Sequence, residues 1–268
     1  MKLYRYISLQ AFCELIYNSE LTFKRPKCWP DQYEGHYFKL LESESGKKWI
    51  EGLIEKRISS AEHREETKNL LRLLGNSLYC ACFTQNADEE VMWNAYSYNN
   101  QAIMIETEED NMTFLNAPTP SIVPVEYDLD KHKLAFLESN LFDYDSGIVI
   151  RNAGDMVRHK RKCFSYEKEI RIVMQDVEHS CQEIQKYSIQ DVSSFISGVM
   201  VHPGAKPEYV KMIGTLCEVF SLNFYGKSKI YELDTSLFQP NEQNDISQTA
   251  QGGLILFLNK TFQIIAVI

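Results

Sequence analysis

The chain has 268 residues, 44% hydrophobic and 24% charged, with 37 acidic against 28 basic side chains and a net charge of −9. That is ordinary globular composition, enough for one large domain or two small ones with a proper core. The acidic balance removes the overall field of a general nucleic-acid binder and leaves only local basic patches for such work.

Leu3–Ile7 reads as a short strand, and Met1 leads straight into it with no signal-peptide pattern. Ser8 suits an N-cap, and Leu9, Phe12, Cys13 and Ile16 recur at i, i+3, i+4, i+7, which predicts an amphipathic helix of about three turns. A second strand, Leu21–Phe23, leads into KRPKCWPDQYEGHY, where Pro26 and Pro30 argue for a loop. From about Phe38 to Leu74 the pattern is helical and heavily charged. Gly46 breaks this run, Ser60 caps a second helix and Gly75 ends it. Ser77–Thr84 (SLYCACFT) is small and apolar throughout, a strand buried on both faces. A helix follows, with Asp88 near its start and Met92, Trp93 and Tyr96 as its apolar face, and then a strand at Gln101–Glu106.

Ser121–Tyr127 is a strand interrupted by Pro124, and helix-like sequence comes after it. CFSYEKEIRIVM (163–174) gives a strand, Ser197–His202 another, Tyr209–Phe220 a helix and Ile230–Leu233 a closing strand. The class is α+β: a central mixed or mainly antiparallel sheet with flanking helices and a helical insertion near 38–75, in one domain spanning 1–237. A polar linker follows at 238–253, and the apolar tail 254–268 (LILFLNKTFQIIAVI) can turn back as a hairpin at Asn259 and Lys260. That tail is the segment most apt to pair with another chain, so a homo-oligomer or partner contact is expected through it. The seven cysteines have no zinc-ligand spacing and predict reduced, buried thiols in a cytoplasmic protein. No run reaches the ~18 apolar residues of a membrane span, so no membrane partner is expected.

Chemistry concentrates around Glu167 and Glu169. In an extended 164–174, Phe164, Tyr166, Ile170, Ile172 and Met174 share one face, with Lys168 among them. Ser165, Glu167, Glu169, Arg171 and Val173 then share the other. Carboxylates at i and i+2 lie ~6.5–7 Å apart along a strand, too far to compete for one proton but near enough to serve one substrate. The β-branched Ile-Arg-Ile-Val favours a strand over the helix that Tyr166, Ile170 and Val173 also permit. The same alternation fits a wet strand face on which Arg171 pairs a glutamate.

Arg5, flanked in parity by Leu3 and Ile7, must find an anion: Glu167 or Glu34 in a buried ion pair, or a ligand phosphate. Asp31 and Glu34 with Glu167 and Glu169 make four carboxylates, the material of a metal-dependent nuclease or phosphodiesterase, although Asp31 also suits a helix cap. RHKRKC (158–163) reads as a solvated helix end, or as a lure for an anionic substrate. His202, in VMVHPG, suits a turn. No dinucleotide fingerprint, Walker loop, nucleophile elbow or zincin motif occurs.

LYRY (3–6), PDQYE (30–34), CFT (82–84), MW (92–93), YEKEIR (166–171), SGVMVHPG (197–204) and KSKIYEL (227–233) together resemble a widespread bacterial family catalogued as a domain of unknown function, over about residues 1 to 237. An arginine on the first strand, a Ser/Thr on a middle strand and a later Glu-x-Glu also resemble the Arg-Ser-Glu ADP-ribosyltransferases, with Thr84 alone where that family has Ser-Thr-Ser. That resemblance implies NAD as substrate, Arg5 on its phosphates, Thr84 shaping the nicotinamide pocket, Glu169 as catalytic carboxylate and Glu167 engaging the acceptor. It also implies a protein or nucleic-acid acceptor in a bacterial toxin or phage-defence setting. Trp93 or Tyr96 would stack on nicotinamide or adenine. No metal is implied. The rival to any enzyme is a sensor or interaction module in which Arg5 and Glu167 form a structural pair.

Overall fold

The computed structural model describes residues 1–31, 33–35, 38–39, 42–128, 153–176 and 182–233, together with strand residues 256–258 and 264–266. The chain divides into two compact units, Met1–Tyr231 and Glu232–Ile268.

The first unit is built on one mixed sheet. β1 (Lys2–Ile7) lies at its middle and runs antiparallel to β4 (Ile103–Glu108) in continuous register, from Lys2↔Glu108 to Ile7↔Ile103. On its other side is β3 (Leu78–Thr84), registered to β1 only at Tyr4↔Thr84. β3 turns its full length to β6 (Glu169–Gln175), from Leu78↔Gln175 to Thr84↔Glu169. With β5 (Ser121–Pro124), β8 (Gly198–Val201) and β9 (Phe224–Lys227) the order is β5-β6-β3-β1-β4-β8-β9. β2 (Glu20–Lys24) pairs with β3 and with β7 (Ile184–Ser188). All these pairings are antiparallel except β8–β9. The mixed, mainly antiparallel α+β architecture matches the sequence pattern.

Alternation sorts the core. Leu3 of β1, Ile103 and Ile105 of β4 and Ile170 and Ile172 of β6 pack with Phe12 and Ile16 of α1 (Leu9–Asn18). The Ser8 hydroxyl caps α1 by accepting from the Ala11 N–H, as its position predicted. The charged insertion forms α2 (Glu44–Arg57) and α3 (Ala61–Ser77), capped by Ser43 and Ser60. Ile50, Leu53 and Ile54 of α2 pack with Leu78, Cys80 and Val173 of the sheet. Gly75 does not end α3, which continues until the chain extends into β3. Tyr4 and Tyr6 pack with Met92 and Trp93 of α4 (Glu90–Tyr96). A short helix, α5 (Val192–Phe195), precedes β8, and α6 (Pro207–Val219) packs through Tyr209, Ile213 and Cys217 before β9.

Two predicted strands change. The stretch from Lys162 to Glu167 is a 3-10 turn, Lys168 takes a left-handed conformation (φ 39°), and the strand starts only at Glu169. Ile230–Leu233 is not a strand: Ile230, Tyr231 and Leu233 are exposed, and the sheet closes at β9. The helix-like sequence at 129–152 and the linker at 238–253 lie outside the described residues, apart from the residues flanking them. In the second unit β10 (Leu256–Leu258) pairs antiparallel with β11 (Ile264–Ala266). Among the described residues no helix is long and apolar enough to cross a membrane.

Candidate active site

Because β1 and β3 share a single registered pair, Tyr4↔Thr84, a cleft opens between them. Its volume is about 160 Å³, and Arg5, Tyr6, Cys82, Thr84, Tyr96, Glu167 and Glu169 all contribute to its lining. Thus five of the six predicted site residues meet at one place. Trp93 does not line the cleft. Its indole is fully buried, donates to Asp88 Oδ1 at 2.8 Å and stands edge-on to Tyr6 at 4.7 Å, so it supports the wall from behind.

Arg5 has no hydrogen-bond or ion-pair partner among the described residues; its guanidinium lies 5.5 Å from the Phe83 ring centre. Burial lowers its pKa from the ordinary arginine value, with no carboxylate opposing the shift. The anticipated buried pair with Glu167 or Glu34 does not form, because both acids bind another cation.

That cation is Lys160, from the basic run read as solvated. Its ammonium is buried and contacts Glu34 Oε1 at 2.6 Å, Glu169 Oε2 at 2.9 Å and Glu167 Oε2. Burial opposes its charge, but the three carboxylates together raise its pKa above the ordinary lysine value. Three neighbouring basic residues are also matched: Arg158 lies 3.7 Å from Glu126, His159 2.7 Å from Asp128 and Arg161 2.6 Å from Asp31. Asp31 therefore sits with Arg161 rather than with the glutamates. The point at which Glu34, Glu167 and Glu169 converge holds an ammonium, which removes the arrangement the metal-dependent reading needed. Another group, Glu126, Asp128 and His159, brings its ligand atoms within 4.8 Å of one another.

Glu167 and Glu169 are not two teeth of one strand face. Glu169 opens β6 and is gripped by Arg171, whose Nε donates to Oε1 at 2.7 Å and whose Nη2 donates to Oε2 at 3.2 Å. Arg171 is fully buried, lies 4.6 Å from the Trp29 ring centre and also donates to the Val157 carbonyl. This face is interior, not wet. Although burial pushes Glu169 up, the charges of Arg171 and Lys160 win and hold its pKa at about 2. For Glu167 the balance reverses: burial outweighs Lys160 and raises its pKa above the ordinary carboxylate value.

Residues lining and flanking the cleft hold this pair. Thr84 Oγ1 donates to the Glu167 carbonyl at 2.5 Å, and Asn86 Nδ2 donates to the Tyr166 carbonyl at 2.5 Å. The middle strand thus fixes the turn that carries Glu167. The Tyr96 hydroxyl donates to Glu167 Oε1 at 3.2 Å, and its ring is stacked with Tyr6 at 6.5 Å between centres. Cys82 hydrogen-bonds Glu169, and burial raises its thiol well above its ordinary pKa. His202 is a turn residue, its Nδ1 accepting from the Gly204 N–H at 2.9 Å. Sequence reasoning missed Lys160 and the depth of Arg171. The available signal was the density of acids at Glu34, Glu167 and Glu169, which requires buried cations nearby.

No family model matches the chain, and no curated protein matches it. Among solved structures it is similar to DarT of Thermus sp. 2.9 in complex with ADP-ribosylated ssDNA, at 9% identity, covering 83% of this chain and 92% of that chain with a TM-score of 0.35. A likeness of that size carries no functional weight here.

Proposed function

We propose that the chain is an ADP-ribosyltransferase-like enzyme that takes NAD in the cleft between β1 and β3 and cleaves its nicotinamide–ribose bond. The observation that carries this reading is Arg5. A half-buried guanidinium without an anion is costly, and here one that has none among the described residues lines a cleft that Glu167 and Glu169 also line. A ligand that is anionic at one end and cationic at the other suits both kinds of group. NAD has that polarity, with a diphosphate for the planar fork of an arginine and a pyridinium ring for the acidic side. A cavity of roughly 150 Å³ holds one six-membered ring, so the open cleft, at about 160 Å³, is of the size of a nicotinamide with the remainder of the dinucleotide outside it. Bond cleavage builds positive charge on the ribose, which a fixed carboxylate stabilises. Thr84 serves this chemistry by fixing the Glu167 turn.

The test is calorimetry with NAD and with ADP-ribose, alongside chromatographic detection of nicotinamide with water or a macromolecule as acceptor. Wild type binds and releases nicotinamide, while Arg5→Ala melts like wild type and loses at least about tenfold in affinity, the scale of one charge-assisted contact. Folded wild-type protein that neither binds nor consumes NAD refutes the proposal.

A further inference from the structure

We infer that Glu167 is the carboxylate that works on a molecule in the cleft, held by Tyr96, and that Glu169 is its fixed anchor. The identity of that molecule rests on the NAD reading above. The family resemblance implies the opposite division, with the second glutamate of Glu-x-Glu acting on the ribose.

The two side chains differ in what their oxygens are free to do. Both oxygens of Glu169 are taken by cationic donors: Oε1 by Arg171 Nε at 2.7 Å, Oε2 by Arg171 Nη2 at 3.2 Å and by Lys160 at 2.9 Å. Its backbone N–H is also held, donating to the Tyr127 hydroxyl at 2.7 Å. Turning this carboxylate towards a substrate would leave a fully buried guanidinium without its nearest carboxylate, with only the longer 3.4 Å contact to Glu34 among the described carboxylates. Glu167 has a fixed backbone and a freer side chain. Thr84 pins its carbonyl, and Oε2 rests on Lys160, yet among the described residues Oε1 takes only one neutral hydroxyl, at 3.2 Å. That is long for a hydroxyl on a carboxylate, where ~2.5–2.7 Å is usual. Oε1 can therefore accept a ribose hydroxyl or a proton without breaking an ion pair. The titrations are also split, Glu169 held low and Glu167 raised, the pattern by which two neighbouring carboxyls divide anchor from acid–base work.

In the reaction, the ribose C1′–N bond breaks and its electron pair stays on the ring nitrogen, which leaves as neutral nicotinamide. The resulting oxocarbenium ion is met by the Glu167 carboxylate. A lone pair of the acceptor, water in the simplest case, forms the new bond to C1′. The acceptor's proton passes to Glu167 Oε1 and from there to solvent. The groups that set this titration are Lys160, Glu34 and Glu169 beside it, together with the hydroxyls of Tyr96, Tyr127 and Tyr166.

Glu167→Gln, Glu169→Gln and Tyr96→Phe in the full chain separate the roles. Each is melted without ligand, titrated with NAD by calorimetry and assayed for nicotinamide release across pH. Glu167→Gln is expected to melt at or above the wild-type temperature, bind NAD within about threefold and lose about 100-fold or more in kcat. Glu169→Gln is expected to melt well below wild type. Tyr96→Phe keeps the fold and removes a hydrogen bond from the carboxylate. It therefore moves the acid limb of the kcat/KM profile to higher pH, a shift that a purely structural role would not give. A Glu169→Gln protein that melts like wild type and loses turnover, beside a Glu167→Gln protein within a few fold of wild type, overturns the assignment. If wild type ignores NAD, the NAD reading falls by itself and the division is decided by ligand-free melts and carboxyl ¹³C titration. Glu167 titrating above an ordinary glutamate, with Glu169 charged until acid unfolding, upholds the division; the reverse order overturns it.

Discussion

Replacing Lys160 with methionine keeps the length of the side chain and removes its charge from the centre of the cluster. In the native protein three carboxylates, Glu34, Glu167 and Glu169, face two cations, Lys160 and Arg171. The variant leaves Arg171 alone against all three, with Glu167 and Glu169 each only 5% exposed. Breaking a buried pair by removing one partner costs about 3–5 kcal/mol. For a domain of this size each kcal/mol moves the melting temperature by about 2–4 °C, so a fall of about 6–20 °C is expected near neutral pH. The pH dependence identifies the cause. In wild type, Glu169 is depressed to about 2 from its ordinary 4.5, so its contribution is present above pH 4.5 and is lost as pH falls towards 2. That shift amounts to about 3 kcal/mol. Without Lys160 the folded pKa values of Glu167 and Glu169 rise, and the variant regains stability relative to wild type as the carboxyls protonate. The difference between the two proteins should therefore shrink between pH 8 and pH 4.5. Urea melts at both pH values measure it directly. A loss below about 1 kcal/mol, or one equal at both pH values, would refute the account of Lys160 as the buried counter-ion.

Four shorter predictions follow from the same geometry. Lys160→Ala opens space among the three carboxylate oxygens of Glu34, Glu167 and Glu169 that contact the ammonium. Calcium, which takes oxygens at about 2.3–2.6 Å, should raise the melting temperature of this variant but not of wild type; an equal response of both proteins rejects the idea. Arg171→Met removes a fully buried guanidinium that holds Glu169, Glu34 and the Val157 carbonyl, and soluble expression should fall sharply, read by the folded fraction in size-exclusion chromatography. Thr84→Val frees the Glu167 carbonyl, with an expected cost of about 1–3 kcal/mol in denaturant melts. Ser8→Ala removes the α1 cap and should cost about 1 kcal/mol in the same assay.

The frame of the molecule is legible in its sequence because it depends on periodicity and caps. Ser8 and Ser60 begin their helices where the pattern puts them, and β3 is buried on both faces as its small apolar residues imply. The site is only half legible. Chain-order pattern brought Arg5, Thr84 and the glutamates into consideration, and the cleft between β1 and β3 brings them together. What the pattern misplaced depends on long-range charge. A run such as RHKRKC reads as wet because its partners are not visible in it, yet Lys160 is balanced by Glu34, 126 positions earlier in the chain, as well as by the nearby Glu167 and Glu169, and Arg161 by Asp31. Likewise, alternation alone makes Glu167 a strand residue; the left-handed Lys168 breaks that alternation and points Glu167 into the cluster from a turn.

This pattern of pairing gives the cleft its polarity. Arg158, His159, Lys160, Arg161 and Arg171 each have an acid within reach, so most of the basic segment is matched internally, with Lys162 exposed. Arg5 is the exception at the cleft among the described residues. A protein using Arg5 only for stability would gain by burying a leucine there, since an unmatched guanidinium loses solvation and gains no ion pair. On the proposed reading, the anion that Arg5 lacks among the described residues comes from the ligand. The same reasoning applies across the cleft, where Glu167 keeps a raised pKa although Lys160 is in contact with it. On the proposed reading, these two groups lining one cleft, each less stabilised than its neighbours, are the cost of a site kept ready for a ligand that carries both signs of charge.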